Sequence, residues 1–514
     1  MSTTVIDPAR AESAPAAPSG RRTRAAAVLA LARFESRELL LQIPVFAMFA
    51  LYLAYTCWQL WGGGEPMDDF PVLQDADRAT QDRPLLVAVA VLVSANRGVL
   101  RSRRRGTDQT FDVLVVEPWR RTAAHLLSVV PAAALTALVV LLDFTCTALK
   151  PGAAGHGSPA ELAVGPLVVL LAGIIGVLLA RLVPSAFAAP LLVVAGLVLA
   201  TLVSAGLEDA DWQRWLWPVV GDAGTEPFPS ELLGRPAAWH ALYLTGLALT
   251  LACAAVLVSG GRNRLVAAVT VAALAATGAG VAGQASGEPA GLAAAREKAS
   301  VAPEKVQSCR VQGRDAYCAY PEWSGRTDEW AEAVGRVRSL AGGGAGATRL
   351  TVRQRVDARY GLDGDAALQP SRTPGRVTVG TRWGGNRVPE FAVAVASVLV
   401  AGDEYAMGEA CDARVVTVMW LALGAQPDPM SAFRHVRLDD RVSGSGIALT
   451  PTNPLSMTAQ QTDVVRELLE KPRYGITAKV KAHWAELTSP RTTTARAAEL
   501  LDVPVPKGAD TCGE

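Results

Sequence analysis

Lysine is scarce in this chain: only 7 of the 49 basic residues are Lys, the other 42 being Arg, and His numbers five among 514 residues. Charged residues make up 19% and the formal net charge is +1, so the overall field gives no case for binding nucleic acid. No Gly-x-x-x-x-Gly-Lys-Ser/Thr run occurs, which excludes a Walker-type nucleotide cradle, and Gly342 to Gly346 lacks the lysine such a loop needs. No His-Glu-x-x-His occurs either, and His435 and His483 stand alone. Ser443 to Gly446 reads as a flexible turn rather than a nucleophile elbow, and the pairs Asp403-Glu404 and Asp439-Asp440 read as solvated charge. No catalytic residue and no metal set is expected, so the chain is not read as an enzyme. Met1 to Gly20 is rich in Ala, Pro and Ser without an apolar core, which reads as a cytoplasmic tail and not a cleavable signal.

What the chain does have is apolar length. Half of its residues are hydrophobic and the mean hydropathy is +0.24, with the apolar positions concentrated before residue 285. A spanning helix needs about 20 apolar residues. Seven segments meet or approach that length, namely 39–61, 84–103, 123–149, 162–183, 185–207, 239–258 and 265–285, the second being the weakest. Arg21, Arg22, Arg24, Arg33 and Arg37 precede the first, and the stretch Arg24 to Glu38 reads either as a helix lying on the inner leaflet or as the start of the first span.

Loop charge sets the orientation. Arg97 to Arg121 holds Arg at 97, 101, 103, 104, 105, 120 and 121, and guanidinium groups in a short loop stay on the cytoplasmic side. Glu65 to Arg83 and Glu208 to Arg235 are rich in acids and suit the outer face, while Ser259 to Arg264 suits the inner one. Asp143, His125 and His240 lie near helix ends and read as interfacial. Gly173, Gly176, Gly196 and Gly206 read as close-packing positions. Trp212, Trp215 and Trp217 read as headgroup anchors or as part of short re-entrant helices.

Inside the basic loop, an Arg-rich helical run leads to Gly106-Thr107, then to an apolar patch with Phe111 and Leu114, and stops at Pro118 before Trp119-Arg120-Arg121. This order resembles the first cytoplasmic loop of the permease subunits of type-2 ABC exporters, although Arg103 to Arg105 stand where that family commonly has an acid. The resemblance implies that Gly106, Thr107, Phe111, Leu114, Pro118 and Arg120 form an elbow on which a separate ABC ATPase subunit docks. It also implies a six-helix core over 39–258, pairing with a second permease subunit as homodimer or heterodimer, and ATP and Mg held by the ATPase, with no cofactor in this chain. The span within 259–285 is then an addition that carries the C-terminus outside.

Beyond a stretch at 286–308 read as a stalk, residues 309–514 change to mixed polar and apolar segments long enough to bury a core. Cys309, Cys318, Cys411 and Cys512 form an even set, as expected outside the cell. Four cysteines allow three pairings; the hairpin pattern CRVQGRDAYC favours Cys309 with Cys318, which leaves Cys411 with Cys512. Helices are expected at 328–340, 389–401, 413–423, 459–470, 476–487 and 494–501, and strands at 349–356 and 376–381.

The sequence therefore reads as an α-helical polytopic membrane protein with a tail and interfacial helix at 1–38 and a C-terminal extracytoplasmic α/β domain. By resemblance it is the transmembrane subunit of an exporter in the cell membrane, moving a substrate outward on ATP hydrolysed elsewhere. The alternative is a membrane-anchored binding or sensor protein.

Overall fold

The computed structural model describes residues 20–61, 71–106, 117–206, 216–220, 227–287, 289–360, 362, 368–382 and 387–506. Its first half is a helical bundle. Helix α1 (Gly20–Leu40) ends at a turn over Leu41 and Gln42 before α2 (Ile43–Trp61), so the basic N-terminal helix is separate from the first apolar one. A short helix α3 (Leu73–Ala79) leads into α4 (Leu85–Val99), and α5 (Arg101–Arg104) follows after a break at Leu100. Pro118 opens α6 (Pro118–Ser128), where a proline lacking an N–H costs nothing, and α7 (Val130–Ala148) continues it after a break at Val129. Then come α8 (Pro159–Leu182), α9 (Ala188–Gly206), the single turn α10 (Ser230–Leu233), α11 (Ala237–Val258) and α12 (Arg264–Ala285).

Among the described residues, five helices are long and apolar enough to cross a membrane: Ile43–Trp61, Pro118–Ala148, Pro159–Leu182, Ala237–Val258 and Arg264–Ala285. The other two expected spans are helical but shorter, at Leu85–Val99 and Ala188–Leu202. The architecture is that of a helical membrane protein.

Helix α8 is the centre of the bundle, packed on α4, α7 and α11. Glycine permits the approach to α4: a Cβ on Gly176 would lie 2.3 Å from the Leu92 carbonyl oxygen, and one on Gly173 would lie 3.0 Å from the Val91 side chain and 2.3 Å from that of Val129, between α6 and α7. Gly196, expected to serve the same purpose, does not, because a Cβ there meets nothing within 4 Å. A second close contact joins α11 and α12, where a Cβ on Gly246 would lie 2.5 Å from the Thr277 nitrogen and one on Gly280 would lie 2.6 Å from the Tyr243 backbone.

The C-terminal half is an α/β domain. The expected stalk holds a helix, α13 (Leu292–Val301). Strands β1 (Ser308–Gln312) and β2 (Asp315–Ala319) form an antiparallel hairpin turning at Gly313, whose φ of 63° suits glycine. Cys309 faces Cys318 in register and the two are disulfide-bonded, as the pattern predicts. Cys411 is also disulfide-bonded, and Cys512, its expected partner, lies outside the described residues. Strands β3 (Thr351–Gln354) and β4 (Arg376–Val379) add in parallel to give the order β1-β2-β3-β4. The crossover from β2 to β3 carries α14 (Thr327–Leu340).

Two apolar helices, α15 (Arg387–Ala401) and α16 (Ala413–Gly424), are buried in the domain, α16 almost completely. Asp412 caps α16 by accepting from the Arg414 N–H, and Thr458 with Gln461 forms a capping box at the start of α18 (Ala459–Glu470), after α17 (Pro429–His435). The expected helix at 476–487 is two, α19 (Arg473–Ala482) and α20 (Trp484–Leu487), and α21 (Thr494–Leu501) closes the domain. Glu404 corrects the expectation of a solvated pair: it is 6% exposed and accepts from the Ser371 N–H at 2.8 Å and the Thr378 hydroxyl at 3.0 Å. Burial holds its carboxyl above the usual range, against the pull of those hydrogen bonds.

Replacing Gly176 with valine is expected to cost about 1–3 kcal/mol or prevent assembly, because the new side chain meets backbone that cannot give way. Gly196→Val should leave stability within about 0.5 kcal/mol. Thermal melts of the two purified variants in one detergent check the contrast.

Candidate functional site

The elbow begins on α5, where Arg101 is paired with Glu35 at 3.1 Å and Glu38 at 3.4 Å, both on α1. The run ends at Gly106, exposed and in the left-handed region at φ 66°, a conformation glycine adopts without strain. Thr107, Phe111 and Leu114 lie outside the described residues. The chain resumes at Glu117, exposed like Pro118. Glu117 accepts from the Trp119 ring nitrogen and pairs with Arg120 at 3.1 Å, so two contacts on one carboxylate fix the start of α6. One turn on, the Thr122 hydroxyl lies 2.7 Å from that of Ser259, tying α6 to the turn before α12. Both ends of the elbow are therefore braced, one on α1 and the other on the 259–263 turn.

A second polar layer, not anticipated from the sequence, occupies the opposite end of α4. Arg78 pairs with Glu161 at 3.2 Å, Gln81 donates to the same carboxylate, and both residues are buried. Asp77 accepts from the Ser158 N–H at 2.7 Å, and Arg235 reaches Asp75 at 3.6 Å. Asp143, expected among headgroups, is instead 4% exposed and ion-paired with Arg83. The partners are 60 or more residues apart, so no local pattern announces them. His240 is likewise buried, 2.9 Å from Gln284 on α12 and 3.3 Å from the Pro218 carbonyl. His125, the other expected interfacial histidine, lies 3.9 Å from Glu35 of α1. Trp212 and Trp215 lie outside the described residues, Trp217 is half-buried, and the described part of that segment holds only the one-turn helix α10.

The C-terminal domain sits directly on this layer. Glu322 accepts from the Ser230 N–H at 3.0 Å, Arg296 donates to the Leu232 carbonyl at 2.9 Å, and Gln74 donates to the Phe228 carbonyl at 2.8 Å. Val72, Ala154, Phe228 and Leu232 belong to the same apolar core as Trp323 and Trp330.

No protein-family model, curated protein or solved structure matches the chain.

Burial pushes Asp77 up to about 7, the neighbouring Glu161 charge adds to the rise, and the Ser158 hydrogen bond and Arg235 oppose it. A carboxyl raised on folding retains its proton where the unfolded chain has released it, so it costs stability as pH rises from about 4 to about 7. The variant Asp77→Asn keeps an oxygen for Ser158 and loses that titration. Its melting temperature should fall less than that of the unsubstituted protein across this window; equal slopes would assign the pH dependence elsewhere.

Proposed function

We propose that this chain is the membrane-spanning subunit of an ATP-driven exporter, with the elbow on the cytoplasmic side and the C-terminal domain outside. The observation that carries the reading is the bracing of the elbow. A partner gripping residues 107–116 would push on α1 through Arg101 and on α6 through Pro118. A loop that served only to set topology would need no such ties. The orientation rests on the arginines and on the disulfide-bonded Cys309, Cys318 and Cys411, which persist in oxidising compartments. A separate ABC ATPase would supply ATP and Mg, and a second permease subunit would complete the translocation path.

The seating of the C-terminal domain favours a second reading as a sensor. Ligand binding to a domain that shares a core with the bundle's outer loops would be felt by the helices. The two readings differ in partner, an ATPase for one and a signalling protein for the other.

Co-purification of an ABC ATPase with the chain, and stimulation of its ATP hydrolysis, are expected to be lost when Leu114 and Pro118 are both replaced by Asp. Retention of both in that variant sinks the exporter reading.

A further inference from the structure

Asp77 sits where three segments meet: α3 carries it, the start of α8 lies on one side, and Arg235, between α10 and α11, lies on another. It is 2% exposed, so its carboxyl has lost nearly all contact with water. One oxygen accepts from the Ser158 N–H at 2.7 Å. The other, Oδ1, is buried and has no hydrogen-bond partner among the described residues, the Arg235 guanidinium standing 4.0 Å from it. A buried carboxylate with so little compensation holds its proton to higher pH than one in water.

The surrounding charges are shared with other groups. On α3 itself stand Asp75 and Arg78. Helix α8 brings Glu161, which Arg78 and Gln81 hold, and α7 brings Asp143, which Arg83 holds. Arg235 is divided between Asp75, Asp77 and the Gln74 carbonyl. Burial is the larger cause that raises the Asp77 carboxyl, to about 7, and the Glu161 charge adds to it.

What Asp77 touches also holds the C-terminal domain. Ser158 ends the loop in which Ala154 bridges to Val72, and both of those residues belong to the core shared with the domain. Arg235 follows α10, which Glu322 and Arg296 of the C-terminal half tie down. His156, on the same loop as Ala154, lies 3.1 Å from the Ser230 hydroxyl and 3.9 Å from Glu322, and is another titratable group at this junction.

We propose that Asp77 is a proton-binding site that sets how firmly the C-terminal domain is seated: uptake of a proton from water on that side closes the polar layer, and its release lets water in and loosens the seat. The sign follows from linkage. An opened layer, in which water reaches Asp77, gives up the proton near 4, whereas the closed layer keeps it to about 7. Between those limits each pH step of one favours opening by up to about tenfold, and above them the effect levels off. Acid therefore closes the junction and neutral pH loosens it. The inference does not rest on the exporter reading, since a sensor would hold the same layer, and its test needs no ATPase.

The test uses the full chain in detergent. Infrared difference spectra follow the C=O stretch of a protonated carboxyl as pH is raised, and hydrogen exchange, corrected for its intrinsic pH dependence, follows protection of residues 227–236. A carboxyl band is expected to disappear with a midpoint of about 7 and to be missing from Asp77→Asn. Protection should fall by up to about tenfold per pH step of one between about 4 and about 7 in the unsubstituted chain, and much less in Asp77→Asn. Arg235→Gln removes the cation that opposes the proton and should move the midpoint upward, while His156→Gln should leave it in place. A band that persists in Asp77→Asn, a midpoint that follows His156, or protection with the same pH slope in Asp77→Asn overturns the proposal. If Asp77→Asn does not fold, Arg235→Gln decides: a midpoint that stays or moves downward overturns it.

Discussion

Helix α4 is too short for a bilayer, and its ends are held by charge. Its 15 residues rise about 22 Å, against about 30 Å of hydrocarbon. The polar groups just beyond it cannot rely on lipid headgroups and must find partners within the protein. At one end Arg83 meets Asp143, and Arg78 with Gln81 meets Glu161. At the other Arg101 meets Glu35 and Glu38. Removing one partner of the buried Arg78–Glu161 pair would leave a charge without compensation and cost about 3–5 kcal/mol, so the segment leading into α4 is held firmly to α8. Gly173 and Gly176 then let α8 close on α4, and α7 and α11 pack on α8 in turn.

The C-terminal domain extends the same logic. Its hairpin, sheet and helices would make an ordinary α/β fold, yet its apolar core continues into Val72, Ala154, Phe228 and Leu232 of the bundle's loops. Glu322 and Arg296 tie down the one-turn helix α10, and Arg235 joins that helix to the acids of α3. Domain and bundle meet through a network in which each loop touches the polar layer on one side and the apolar core on the other.

Local pattern was legible in the sequence and long-range pairing was not. Cys309 and Cys318 flank a Gly-containing turn, so the hairpin and its disulfide could be read directly. The helices over 327–340, 459–470 and 494–501 follow from apolar spacing and capping residues, and the seven apolar segments all form helices. Glu404 looked solvated because it follows Asp403 in a polar turn; its partners Ser371 and Thr378 come from a distant segment that only the fold brings near. Gly173 and Gly196 look alike in an apolar run, and only the neighbour across the helix separates them. The helix at 476–487 breaks at His483, where no proline or glycine signals a break. In the elbow, the charged flanks were legible as a pattern, whereas the ties from Arg101 to α1 and from Thr122 to Ser259 depend on segments 63 and 137 residues away.

The last helix of the bundle, α12, packs closely on α11 through the glycine contacts at 246 and 280, and the chain then passes to the C-terminal domain. That crossing is the only covalent link between the halves, but it is not what keeps them together, because the shared core and the contacts of Glu322 and Arg296 lie elsewhere. The molecule would therefore tolerate being made as two polypeptides divided at that crossing, which would find each other and fold as a heterodimer.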